Sequence, residues 1–67
     1  MKNRLCLNKE IYCIDNIKQA VVDYQKIASI DVCEDEKHFY CDFKETLYDV
    51  DLTINEFENY VIGSMFK

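Results

Sequence analysis

The stretch Cys33-Glu34-Asp35-Glu36-Lys37-His38-Phe39-Tyr40-Cys41 holds two thiols and the chain's single imidazole. A thiolate and an imidazole can ligate zinc, or act together as a nucleophile and its base. Structural zinc sites pair their ligands about two to four residues apart. Here the cysteines stand at 6, 13, 33 and 41, with no CxxC and no three-cysteine cluster of the kind an iron–sulfur enzyme needs. A Cys33–His38 pair at a hairpin end would have no glycine-rich oxyanion loop. Its neighbours Glu34, Asp35 and Glu36 disfavour a thiolate, because like charges repel. The carboxylate pairs Asp49/Asp51 and Glu56/Glu58 read as solvated neighbours rather than an acid and base across a cleft. With Gly63 the only glycine, a Walker loop and a dinucleotide fingerprint are excluded. These residue types point away from an enzyme, and no metal or cofactor is expected. A small thiol or metal module using Cys6, Cys33 and His38 stays open as an alternative.

The elements that position these side chains follow from hydrophobic periodicity. Residues 3–8 alternate, Leu5 and Leu7 against Arg4, Cys6 and Asn8, as a half-buried strand does. Ile14, Ile17, Ala20, Val21 and Tyr24 form one stripe of a helix over about 14–26, with Asp15 and Asn16 in its first turn and Lys26 near its end. Residues 28–33 and 38–43 alternate again, and the polar Glu34-Asp35-Glu36-Lys37 between them predicts a hairpin. With Asp35-Glu36 as its tip, Cys33 faces His38, Val32 faces Phe39, Ile30 faces Cys41 and Ala28 faces Phe43. Cys41 then points into the core, while Cys33 and His38 share the other face. Residues 44–51 read as a connection, with Leu47 and Val50 against the core. Thr53 and Glu56 form a capping box, Leu52 and Phe57 a hydrophobic staple. A helix over about 54–66 follows, with Ile54, Phe57, Val61 and Met65 on its stripe.

The order strand, helix, strand, strand, helix predicts a single α+β domain over residues 1–67. Its sheet has three strands, mainly antiparallel, with the third strand in the centre and two helices on one face. This is a ferredoxin-like arrangement lacking its last strand. One sheet face is left without helices and both edge strands lack a partner. An open edge can take up an extended peptide, main chain to main chain. The expected partner-binding residues are therefore those of the edges and the open face: Arg4, Cys6, Asn8, Ser29, Asp31, Cys33, His38 and Tyr40. Cys6 is placed near the level of Asp31. Tyr60, Ile62 and Phe66 lie off the main stripe of the last helix, a surface a homodimer could use.

Composition sets outer bounds. Sixty-seven residues make one domain with a small core, and 49% hydrophobic residues make it globular rather than disordered. No apolar run approaches the ~18 residues a membrane span requires. The short Leu5-Cys6-Leu7 core of the first ten residues does not make a signal peptide, so a cytoplasmic location with reduced thiols is expected. The net charge of −5 divides into +2 over residues 1–26 and −7 over residues 27–67. No lysine or arginine cluster exists to neutralise phosphates, which disfavours nucleic acid. The acidic second half suits a basic partner or a solvated surface, and a small acidic regulatory dimer of phage or antitoxin type is a further alternative.

The run Glu10-Ile11-Tyr12-Cys13-Ile14-Asp15-Asn16-Ile17-Lys18-Gln19-Ala20, the hairpin after it, and the late Glu56-Phe57-Glu58-Asn59-Tyr60 carry a resemblance. Over roughly residues 5–62 the chain resembles the small D-type accessory family (HxsD-like) of the His-Xaa-Ser peptide-maturation system. Cys13 departs from it, standing where a serine cap is typical. Members of that family accompany radical-SAM maturases that modify a ribosomally made peptide. The resemblance implies a non-catalytic accessory or adaptor protein that binds a peptide or the maturase. It carries over no catalytic residue, because the matching positions Tyr12, Ile17, Ala20 and Phe57 read as core.

Overall fold

Five elements follow one another as β1 (Arg4–Asn8), α1 (Ile14–Asp23), β2 (Ala28–Glu34), β3 (His38–Thr46) and α2 (Val50–Met65) in a computed structural model that describes residues 3–66. The sheet order is β1-β3-β2, with β3 antiparallel to both edge strands. The α+β arrangement is the one the periodicity predicts. Leu7, Ile30, Phe39, Cys41 and Phe43 fill one sheet face, and Ile17, Ala20, Phe57 and Val61 of the helices close over them. Phe57 is the hub, fully buried, with its ring edge-on to Phe43 and to Tyr24 at 5.3 Å each. Such aromatic pairs add about 0.5–1.5 kcal/mol beyond the area they bury. The helices run antiparallel: Asn16 bonds Ser64 at 3.2 Å, while Tyr24 at the other end packs against the rings of Phe57 and Tyr60.

The hairpin register differs from the predicted one. Glu34 pairs with Phe39, Cys33 with Tyr40, Val32 with Cys41 and Ile30 with Phe43, so each β2 residue from Ile30 to Glu34 finds its partner two positions further along β3. The tip is Glu36-Lys37 rather than Asp35-Glu36. A two-residue hairpin turn of the usual kind needs positive φ, which Asp and Glu adopt at a cost. No non-glycine residue among those described has positive φ. The turn is instead clamped by the Asp35 carboxylate. Its Oδ1 accepts from the backbone N–H of Lys37 at 2.9 Å and of His38 at 2.8 Å. A shift of two preserves side-chain parity, so the inward and outward sets stand as predicted. A bulge between Ser29 and Ile30 then resets the pairing, bringing Ser29 opposite Glu45 and Ala28 opposite Thr46.

Three other expectations are corrected. First, α1 stops at Asp23, and Lys26 lies beyond it. The Tyr24 carbonyl accepts from both Ile27 and Ala28 at 2.8 Å, which folds the chain back to reach the sheet. Second, residues 44–51 are not a connection: β3 runs to Thr46 and α2 begins at Val50. Val50 packs on the core, whereas Leu47 is 68% exposed. Third, Thr53 does not cap α2. Asp49 does, its carboxylate accepting from the Leu52 N–H at 3.0 Å. Thr53 lies one turn inside, almost fully buried, its hydroxyl donating to the Asp49 carbonyl at 2.8 Å. Leu52 is 54% exposed, so there is no Leu52–Phe57 staple. A buried threonine is tolerated there because the helix carbonyl satisfies its hydroxyl.

Candidate docking edges and the open sheet face

The face of the sheet away from the helices carries Arg4, Cys6 and Asn8 from β1, Ser29, Asp31 and Cys33 from β2, and His38, Tyr40 and Asp42 from β3. Register places them in rows: Arg4–Asp42–Asp31, Cys6–Tyr40–Cys33, and Asn8–His38. Cys6 thus stands level with Cys33, not with Asp31 as expected. Because β3 separates them, their backbones are two strand spacings apart, roughly 9–10 Å, too far for a disulfide. Cys33 does not face His38 either; its partner is Tyr40. The sequence-adjacent thiol and imidazole are therefore on different rows. Among the described residues no group of three or more His, Cys, Asp or Glu converges as metal ligands would.

The polar groups of this face are largely engaged with one another. Arg4 grips Asp42 with two bonds, Nε to Oδ1 at 2.6 Å and Nη2 to Oδ2 at 3.0 Å, and its guanidinium lies 5.0 Å from the Tyr40 ring centre. That pairing raises the Arg4 pKa and lowers that of Asp42. The Tyr40 hydroxyl donates to Asp35 Oδ2 at 2.6 Å. Bonds from Tyr40 and from the amides of Lys37 and His38 hold the Asp35 carboxyl down at about 2, and the same contact raises the Tyr40 phenol. Sequence reasoning took Asp35 only as a repelling acid at the tip. The signal it overlooked was an aspartate two and three residues before the amides it can bind, an Asx turn. Cys41 points inward as expected, and burial pushes its thiol up to about 12, so it is the inert one of the four. Cys6, Cys13 and Cys33 are exposed.

The face is therefore polar and solvated. None of the exposed large hydrophobic residues, such as Ile11, Leu47 or Phe66, lies on it. Nor is the Tyr60, Ile62, Phe66 stripe one continuous surface. Tyr60 turns toward α1, where its hydroxyl donates to Asp23 and its ring packs on Tyr24 at 5.5 Å. Ile62 is half-buried, and Phe66, 80% exposed, stands at the end of α2.

What the fold leaves available is main chain at the two edges. In an antiparallel pair, residues alternate between bonding the neighbour and pointing away from it. The Asp35 N–H donates to the His38 carbonyl at 3.0 Å, which turns Cys33 and Asp31 toward β3 and Ile30, Val32 and Glu34 outward. On the other side, the Asn3 carbonyl accepts from Phe43 at 2.8 Å and Lys9 donates to Lys37 at 2.9 Å, so Arg4, Cys6 and Asn8 point outward. Part of the β1 edge is already used. The Asn8 carbonyl accepts from Ile11 and Tyr12, and its side chain accepts from Glu10 N–H at 2.8 Å. At the Ala28 end of β2 lies a shallow depression of ≈ 290 Å³ whose lining includes Gln25, Ile27, Ala28, Glu45 and Leu47.

Compared with known proteins, the chain matches no family model, no curated protein and no solved structure. Among the described residues, no helix is long and apolar enough to cross a membrane.

Proposed function

We propose that this chain is a non-catalytic, cytoplasmic accessory or adaptor protein that binds a peptide or a maturase enzyme in ribosomal-peptide modification. The observation that supports it is the pair of edge strands on a small three-stranded sheet, each presenting outward main-chain donors and acceptors. Adding a strand to such an edge gives affinity through backbone bonds, and the flanking side chains supply selectivity. The resemblance to the D-type accessory family of the His-Xaa-Ser system points the same way and names the setting: a radical-SAM maturase acting on a ribosomally made peptide. In this role the protein holds the substrate or the enzyme and contributes no reacting group.

The test is reconstitution. The purified chain is titrated with a His-Xaa-Ser-type precursor peptide and with its radical-SAM maturase, and modification is followed with and without the chain. Binding to either one, with faster or more complete modification, is the expected result. Binding to neither and an unchanged course of modification would remove the proposal.

A further inference from the structure

We infer that the outer edge of β2, rather than that of β1, is the docking strand, and that the peptide it takes is extended, with basic residues alternating with apolar ones. This rests on the peptide-binding reading above and deepens it. Three observations carry it. On the β2 edge the Ala28 N–H is taken by the Tyr24 carbonyl but Ile30, Val32 and Glu34 carry no competing bond, whereas of the three outward residues of β1 the Asn8 carbonyl is taken by Ile11 and Tyr12. An added strand needs a run of alternate free groups, and β2 supplies the longer one.

The second observation is charge. Asp31 on the open face, and Glu34 closing the helix-side row of Ile30 and Val32, flank this edge with exposed side chains. Each is met by one lysine through one oxygen: Lys44 lies 3.9 Å from Asp31 Oδ2, and Lys9 reaches Glu34 Oε1. Both lysines come from β3 or from the end of β1, on the inner side of β2. The other oxygen of each carboxylate has no partner among the described residues and is available to a cation arriving from outside. The β1 edge carries Arg4 instead, already paired with Asp42. A second copy is a poor occupant, because self-pairing of β2 would crowd two Asp31 and two Glu34 into one short interface between chains of net charge −5 each.

Third, the edge has an unfinished apolar row. Ile30 is buried but Val32, next on the same face, is only half-buried at the rim of the core. An added strand would set an apolar side chain beside Val32 on the helix side and a basic one beside Asp31 on the open side. An apolar residue beside Val32 followed by a basic one beside Asp31 is what these two faces together select, and Glu34, at the end of the helix-side row, adds a preference for a cation at that end of the strand.

The test uses the full-length chain, isotopically labelled, and two capped probe peptides, one alternating lysine with valine and one alternating glutamate with valine. The lysine peptide is expected to shift the amide signals of Ile30, Val32 and Glu34, to slow their exchange, and to bind about tenfold tighter than the glutamate peptide, a gap that narrows as salt is raised. Val32→Pro removes an outward donor without removing a ladder bond, and should abolish binding. Cys6→Pro, the equivalent change at β1, should leave it intact. Should Val32→Pro fail to fold, N-methylation of the probe on alternate backbone nitrogens, read at the β2 amides, gives the same answer: one set loses binding, and the other keeps it and still shifts Ile30, Val32 and Glu34. Unchanged binding to Val32→Pro, loss of binding in Cys6→Pro only, or equal binding of both probes overturns the assignment to β2 and to basic peptides. In the reconstitution above, a precursor that binds but leaves the β2 amides unmoved sinks this inference alone. A precursor and maturase that both fail to bind sink the adaptor reading with it.

Discussion

At the scale of single residues, Asp35 shows how one side chain replaces a missing glycine. Its Oδ1 takes over the turn acceptor for Lys37 and His38, while Oδ2 receives the Tyr40 hydroxyl. These bonds favour the carboxylate, so its pKa falls from 3.8 to about 2. A depressed carboxylate pKa contributes stability that is fully present above the unfolded value and is lost as pH falls through the folded one. The window is therefore from about pH 4 down to about pH 2. On acidification, the amide signals of Lys37 and His38 are expected to titrate near pH 2. A midpoint near 4 would show that the clamp does not hold. In Asp35→Asn, an acceptor remains and this titration should vanish, while Asp35→Ala should also broaden the hairpin-tip signals.

At the scale of elements, α2 separates two readings of where a helix starts. A start at Thr53 leaves the amides of Ile54, Asn55 and Glu56 without helical carbonyl partners. With Asp49 as cap and a first turn at Val50, those amides bond back into the helix. Hydrogen exchange should therefore find Ile54 to Glu56 protected, and the Thr53 amide with them, since it donates to the Asp49 carbonyl at 2.9 Å. Asp49→Ala should lower stability by about 1 kcal/mol in urea unfolding, and Glu56→Ala by much less. The reverse order would restore the capping box. The box motif is present in the sequence at Thr53 and Glu56, yet tertiary contact prevails: burying Thr53 beside Phe57 needs one more turn of helix ahead of it.

At the scale of the whole molecule, a small core makes each large side chain count. At roughly 0.05–0.15 kcal/mol per residue, a chain of 67 residues has about 3–10 kcal/mol of stability. Phe57 touches both the sheet, through Phe43, and α1, through Tyr24. Phe57→Ala should cost about 3–5 kcal/mol, much of that total, and leave a chain with little cooperative unfolding by circular dichroism. Phe57→Leu, which fills more of the space, should keep a sigmoidal transition at lower temperature. A Phe57→Ala protein that melts like the parent would mean that the core is not centred on this ring.

The sequence alone determined the element types, their order, and most of the inward-facing side chains, though not the exposed Leu47 or the buried Thr53, because those follow from periods of 2 and 3.6 that each segment carries locally. It therefore placed Leu7, Ile17, Ala20, Cys41, Phe43, Phe57 and Val61 in the core, where the structure has them. What only the tertiary structure decided were pairings and ends. Strand parity is unchanged by a slip of two, so nothing local distinguished Cys33 opposite His38 from Cys33 opposite Tyr40; the Asp35 clamp and the packing of Phe43 under Phe57 made that choice. The limits of α1 and α2 were likewise set by where the chain must turn to meet the sheet. For the candidate site the division is the same. That Arg4, Cys6, Asp31 and Tyr40 share an outward face was legible from alternation. That Arg4, Tyr40, Asp42 and Asp35 bind one another depends on three strands lying side by side.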